Sequence, residues 1–315
     1  MAKLKLTIVT PVYNEEKVIL PFYQRTRAVL DKLQDVEANI LFVVDRGSDN
    51  TLDILRDVVA KDPLAKVISL SSRFGHQMSL LAGIEHAQDA DAIIMMDSDL
   101  QHPPELIPEL IEKFRDGCDV VFTVRKDTEN VGTLRKSLGN LFYYTLSKLS
   151  KTPINPNAAD FRLISARVAK ILATRFEERN MFLRGLFVWI GFKQIGIEYV
   201  AEKRFAGESK YSLYRMIKLA LAGVLSFTTK PLHLGLIVGL LFAIIAVAFI
   251  AVVFVNYFLS QATPSGWTTL TIFLLMFSGV QLIVLGIMGA YIGGIYEEVK
   301  RRPRYLVEEE ISHHE

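Results

Sequence analysis

The 315-residue sequence predicts an α/β protein: a doubly wound, mostly parallel sheet followed by interfacial amphipathic helices and two transmembrane helices. Short apolar runs alternate with charged amphipathic stretches up to about residue 225, a pattern that favours strands joined by crossover helices. From Leu232 onward charged side chains vanish from two long segments, and the mean hydropathy of +0.27 is high for a wholly soluble chain.

Taken in order, Lys5 to Val12 reads as a strand, Lys17 to Leu33 as a helix, Ala38 to Asp45 as a strand and Thr51 to Lys61 as a helix. Ala65 to Leu70, Ala92 to Asp97 and Val120 to Val124 supply three more strands, with helices over Gln77 to Gln88 and Glu105 to Arg115. Beyond the sheet, Phe176 to Phe192 and Tyr211 to Phe227 mix basic and large apolar residues in a near-helical rhythm. Such helices either lie in a bilayer interface or pack as amphipathic helices on the domain core.

Leu232 to Leu259 and Trp267 to Ile295 each exceed the roughly 20 apolar residues a helix needs to cross a bilayer. The linker Ser260 to Gly266 is uncharged, while Lys230 precedes the pair and Lys300, Arg301, Arg302 and Arg304 follow it. The positive-inside rule then leaves both termini in the cytosol and makes the pair a multi-pass anchor in a cell (inner) membrane. The amino terminus has an apolar run of about five residues, too short for a signal-peptide core. Gly289 and Gly293 have GxxxG spacing, with Gly279, Gly286, Ala290 and Gly294 nearby, which suits either packing within the hairpin or a homo-oligomer such as a tetramer. The boundaries implied are 1–165 for a catalytic domain, 166–230 for interface helices, 231–298 for the membrane hairpin and 299–315 for a cytosolic tail.

The formal net charge of +2 is too small and too scattered to indicate a nucleic-acid partner. The single cysteine, Cys118, builds neither a disulfide framework nor a Cys-rich zinc site and reads as a core residue.

The chemistry gathers where strands end. AIIMMDSDLQHPPE places Asp97 and Asp99 directly after an apolar strand, at the sheet edge where open α/β folds bind ligands. Carboxylates and amide carbonyls are hard oxygen donors, so Asp97, Asp99 and Gln101 are candidates to hold a divalent cation, Mg2+ or Mn2+, that neutralises a diphosphate. A DxD alone is also a common solvated loop. After the first strand come Pro11 to fix the turn, Tyr13 to face a base and Glu15 to accept a hydrogen bond, and Asp45 ends the next strand. Singly these are a turn proline, a surface tyrosine and helix-capping acids; together at one sheet edge they make a nucleoside pocket.

TPVYNEE, VVDRGSDNT, DSDLQHPPE, NAADFRL, FLRGLFVWIGF and RFAGESKYSL, in that order before two apolar segments, resemble the family-two glycosyltransferases that use polyisoprenyl phosphates. That family includes the bactoprenol glucosyltransferases and dolichol-phosphate mannose synthases. The resemblance implies a glycosyltransferase A-type fold and inverting transfer of a sugar from a nucleotide diphosphate donor to a lipid phosphate. UDP-glucose and undecaprenyl phosphate are the preferred pair. It assigns Pro11, Tyr13, Glu15, Asp45 and Asp97 to the nucleotide and Asp97, Asp99 and Gln101 to the metal. Arg125, Arg135, Arg162, Arg204, Ser209 and Lys210 fall to the acceptor phosphate, for which guanidinium and ammonium groups are suited. Asp160 and Asn157 stand where a base or orienting group would act, the alternative for Asp160 being a structural acid paired with Arg162.

The chain departs from the family pattern at Val44 and Arg46, in place of an acid and a glycine beside Asp45. It has SSRFG where Ser-Arg-Asn-Phe-Gly is common, and Asn157 and Ala159 where Asp and Gly are frequent. Rival readings are transfer of mannose or an aminopentose, a non-catalytic nucleotide-sugar-binding membrane protein, and a processive polysaccharide synthase. The last usually carries a Gln-x-x-Arg-Trp motif that is missing here.

Overall fold

Apolar runs without strict alternation belong to strands covered on both faces, and they build the middle of this sheet. The computed structural model describes residues 3–126, 155, 157–179, 181–200, 230–260 and 266–313. Strand β1 (Leu4–Val12) pairs in parallel with β2 (Val36–Val44), and β2 with β3 (Ala65–Leu70). On its other side β1 pairs in parallel with β4 (Ala92–Met95). Their helical crossovers are α1 (Ile19–Leu30), α2 (Thr51–Val59) and α3 (His76–His86). After β4 a 3₁₀ turn (Pro104–Leu106) opens α4 (Ile107–Arg115), which leads into β5 (Val120–Arg125). All five strands and four helices stand within a few residues of where the sequence puts them.

Three strands were not anticipated. β6 (Ala158–Ser165) runs antiparallel between β4 and β5, and β7 (Gln194–Tyr199) adds in parallel to β5. β8 (Val307–Ile311) pairs antiparallel with β3. Among the described residues the order is β7-β5-β6-β4-β1-β2-β3-β8. The segment after the last long helix, read as a tail, is therefore an edge strand of the sheet. It covers β3, whose exposed backbone would otherwise invite pairing with another chain.

Two further helices follow β6. α5 (Ala166–Arg175) is capped by Ser165, whose Oγ accepts the Val168 N–H, and α6 (Leu183–Ile190) ends at Gly191. The helix expected over Phe176 to Phe192 is thus confined to eight residues, with Leu183, Gly185, Leu186 and Phe187 buried. Of its large apolar residues, Trp189 is left well exposed, at 65%. The reading as a helix packed on the domain core describes α6. The expected helix Tyr211 to Phe227 lies outside the described residues.

The described residues up to Val200 together with those from Arg302 form one compact unit, and the described residues from Lys230 to Arg301 another. The second contains α7 (Lys230–Ser260) and α8 (Trp267–Val299). Among the described residues one stretch, the 24-residue Met276–Val299 in α8, is long and apolar enough to cross a membrane. Within the described residues of α7 the apolar stretch is Gly235–Phe249, so of the two expected spans one helix has the length and composition for crossing.

The core of the first unit lies between β1, β2 and β4 and the helices α1, α2 and α4, with Phe22 set edge-on to Phe42 at 6.4 Å between ring centroids. Cys118 is buried, as expected. On the opposite face α3 rides very close to the sheet: a Cβ on Gly83 would lie 2.1 Å from Val9 Cγ1. Gly83→Ala is expected to cost about 1–3 kcal/mol by overpacking. Thermal unfolding of the purified variant checks this, and an unchanged midpoint would mean that α3 can move aside.

Candidate active site

The order β4-β1-β2-β3 makes the gap between β1 and β4 the topological switch point, where helices leave the sheet toward opposite faces and a crevice opens. Pro11 and Tyr13 stand at the end of β1, and Asp97 and Asp99 follow β4 across that crevice. Asn14 at φ 53° and Leu100 at φ 60° turn these two loops through the left-handed region, and Gly75 at φ 90° does so ahead of α3. Non-glycine residues there carry local strain that the surroundings must hold, a common condition at functional loops.

Hydrogen bonds fix the loops. The Ser48 N–H donates to Asn14 Oδ1 at 2.9 Å and the Glu15 N–H to Thr51 Oγ1 at 2.9 Å, which clamps the β1 loop to the start of α2. Asp45 is buried, and its carboxylate accepts the N–H groups of Phe74 at 2.7 Å and Gly75 at 2.9 Å. It reaches the expected edge and there holds the loop before α3. That loop carries Arg73, whose guanidinium lies 4.0 Å above the centroid of the Tyr13 ring, so one face of the expected base-stacking tyrosine is covered by a cation.

The DxD turn is self-braced. The Gln101 N–H donates to Asp99 Oδ1 at 3.1 Å, and the Asp97 N–H donates to His102 Nδ1 at 3.2 Å. The buried His102 ring stacks on Phe161 at 5.2 Å. His76, the first residue of α3, meets Asp97 through Nε2 and Oδ1 at 2.8 Å. Burial works against a charge on His76, but the Asp97 carboxylate outweighs it and lifts its pKa to about 9. Burial likewise opposes the Asp97 carboxylate, and His76 holds it below the ordinary carboxylate value. At neutral pH these two residues form an ion pair in the crevice.

β6 enters the sheet reversed, so its first residues lie at the same edge as the ends of β4 and β5. Asn157 is exposed there and its carbonyl accepts the Arg125 N–H at 2.9 Å. Asp160 is buried, and its partner is Arg184 of α6, not Arg162: Arg184 Nε reaches Oδ1 at 2.7 Å and Nη2 reaches Oδ2 at 2.8 Å. Burial pushes the Asp160 pKa up, but the Arg184 fork brings it well below the ordinary value. Arg162 is only 3% exposed, with its guanidinium 4.4 Å over Phe187, Nη2 donating to the Ala159 carbonyl and Nε without a partner among the described residues. Burial lowers its pKa to about 10, against the pull of Asp160.

The structure therefore gathers Pro11, Tyr13, Glu15, Asp45, Asp97, Asp99, Gln101, Arg125, Asn157, Asp160 and Arg162 at one edge of the sheet. Arg135, Arg204, Ser209 and Lys210 lie outside the described residues. Sequence reasoning missed His76, His102 and Arg184. Arg184 stands in FLRGLFVWIGF and could have been singled out as a cation among apolar residues, whereas nothing local marks His76 as the partner of a residue 21 positions on.

Comparison with known proteins agrees with this geometry. The family model of glycosyl transferase family 2 matches residues 7–172. An uncharacterized glycosyltransferase of Bacillus subtilis, YkcC, is 41% identical over 305 residues, covering 97% of this chain and 94% of its own. The bactoprenol glucosyl transferase of Shigella phage SfII is 38% identical over 304 residues, covering 96% of this chain and 97% of its own. A prophage bactoprenol glucosyl transferase homolog of Escherichia coli is 36% identical, covering 96% and 98%. A mostly parallel sheet with its acidic turn at the switch point, in a chain matched over nearly its whole length by glycosyltransferases, places this chain in glycosyl transferase family 2 and makes it a glycosyltransferase.

Proposed function

We propose that the protein transfers a hexose, glucose from UDP-glucose, to a polyisoprenyl phosphate such as undecaprenyl phosphate at the cytoplasmic face of a membrane. The observation that carries the reading is the placement of Asp97 and Asp99 at the switch point, facing the β1 loop, in a chain that continues into the apolar Met276–Val299. Relatives with matching length are named for bactoprenol and glucose, which supports the acceptor and the sugar. Both α7 and α8 are taken to cross the bilayer, since 31 residues of helix span about 46 Å at 1.5 Å per residue. Self-association through the small residues of α8 is part of the proposal.

The site fits a divalent cation. Asp97 keeps 31% of its side chain exposed and is anionic, and Asp99 lies two residues away on the same turn. Two carboxylates plus diphosphate oxygens match the donor set of a Mg2+-type ion, which would neutralise charge developing on the departing nucleoside diphosphate. Tyr13, Glu15 and the loop held by Asp45 would form the nucleoside side of the crevice, and Arg125 the acceptor side, with Arg135, Arg204, Ser209 and Lys210 joining it from the undescribed segments.

In the reaction an acceptor phosphate oxygen forms a bond to the anomeric carbon as the bond to the donor diphosphate breaks on the opposite face. A phosphate monoester has a second pKa of about 6, so the nucleophile is already largely dianionic at neutral pH. No strong base is required. Asp160, locked in the Arg184 fork and depressed in pKa, is a poor proton acceptor and suits an orienting role. Asn157 at the neighbouring position is then compatible with activity.

Purified protein in detergent should form a lipid-linked sugar from radiolabelled UDP-glucose and undecaprenyl phosphate, and a chelator should stop it. Lipid product that persists after exhaustive chelation would remove the cation from the reading. Failure of every tested nucleotide sugar to label the lipid would remove the acceptor.

A further inference from the structure

The segment that leads into β8, after the long apolar helix α8 in the chain, is fastened both to the loop before α3 and to the last turn of α3. Ahead of α3, the Ser71 N–H donates to the Leu306 carbonyl at 2.9 Å, just before β8 begins. Arg46 Nη1 donates to the Ser71 carbonyl at 2.8 Å and lies 3.8 Å from Glu308 Oε1. At the far end of α3, Glu85 receives Arg304 on one carboxylate oxygen and the Tyr305 hydroxyl on the other, and Arg304 also donates to the Phe176 carbonyl. The Arg304 and Glu85 side chains are each only 18% exposed, so this ion pair is poorly screened. Between these two attachments stand the elements that shape the crevice: Arg73 over Tyr13, the Phe74 and Gly75 amides on Asp45, and His76 on Asp97.

We infer that the segment Arg304–Glu308 is a positioning strap for the nucleotide-sugar side of the active site, with Arg46 and Glu85 as its anchors on the catalytic unit. The inference rests on the proposed placement of the donor in this crevice. It gives Arg46 a role of its own: its side chain ties the turn after β2 to the loop before α3 and to β8. Removing an anchor frees the Ser71–His76 loop to sample orientations in which Tyr13, Asp45 and Asp97 no longer present a common surface. A binding-competent state that is only fractionally populated weakens apparent affinity by that fraction. The strap therefore acts on donor KM and leaves acceptor KM and kcat largely untouched.

The test uses full-length protein in detergent, with Arg46→Ala, Arg46→Lys and Tyr305→Phe. Arg46 is 61% exposed and Tyr305→Phe removes a single hydroxyl, so both variants should fold. Expected results are about three- to tenfold higher donor KM, near-normal acceptor KM, and faster hydrogen exchange at the Phe74 and Gly75 amides, with Arg46→Lys recovering most of the loss. Unchanged exchange at these amides in both Arg46→Ala and Tyr305→Phe would overturn the strap and leave the donor-site reading intact. Faster exchange with unchanged donor KM would show that this loop does not serve the donor, which overturns the donor-site placement and the inference with it. A uniform fall in kcat with equal effects on both KM values would also overturn it, as a merely structural contact would behave in that way.

Discussion

Asp99→Asn is expected to lower the rate of sugar transfer by about 10²- to 10³-fold, the usual cost of removing one group that stabilises charge developing in a transition state. Loss of one anionic donor should also weaken cation binding, so activity would partly recover at high Mg2+ or Mn2+. The substitution is chosen because it spares the fold. Asp99 Oδ1 accepts the Gln101 N–H within the turn, and the amide carbonyl of asparagine can accept the same bond. A circular dichroism spectrum and thermal midpoint like those of the parent protein, together with a steep loss of lipid-linked product across a cation titration, would complete the result. Unchanged transfer with an unchanged cation requirement would sink the assignment of Asp99.

Arg184→Ala should produce the largest loss of stability among single changes at the site. Breaking a fully buried ion pair costs about 3–5 kcal/mol, because the remaining charge is stranded away from water. Here Asp160 keeps 10% of its side chain exposed but Arg184 keeps 28%, so a smaller loss of about 2–4 kcal/mol is expected. At roughly 2–4 °C per kcal/mol for a domain of this size, the thermal midpoint would fall by about 5–15 °C. Pairing Arg184→Met with Asp160→Asn removes both charges and should restore much of the midpoint. It should not restore sugar transfer, since the oriented carboxylate is gone. A double variant that recovers activity along with stability would show Asp160 to be structural only, and an Arg184→Ala protein that melts normally would show the fork to be weak.

The first half of the fold was legible because its signals are local. Short, β-branched apolar runs such as Leu41, Phe42, Val43 and Val44 favour a strand covered on both faces, and the amphipathic α2 buries Leu55, Val58 and Val59 along one side. β6 was not legible as a strand, since Asp160 and Arg162 interrupt its apolar pattern. Those two residues are tolerated inside the sheet only because Arg184, the Ala159 carbonyl and Phe187 meet them there. β8, with the sequence Val-Glu-Glu-Glu-Ile, likewise resembles a solvated tail. Its acids find Arg46, Arg56 and His86 across the sheet edge.

Sequence by itself determined the kind of protein: a mostly parallel α/β unit whose candidate site residues follow strands β1, β2 and β4, then a long apolar stretch. These features depend on hydrophobic period and on the rule that open sheets bind at the carboxyl ends of their strands, and both are written in a few neighbouring residues. Tertiary structure alone decided the partners. His76 with Asp97, Asp160 with Arg184, Asp45 with the Phe74 and Gly75 amides, and Arg46 with Ser71 join residues between 21 and 30 positions apart. The Glu85 clasp reaches 220 positions along the chain to Tyr305. Such pairs depend on strand order and register, which place side chains within 3 Å only after the sheet has assembled, and no local pattern encodes that distance.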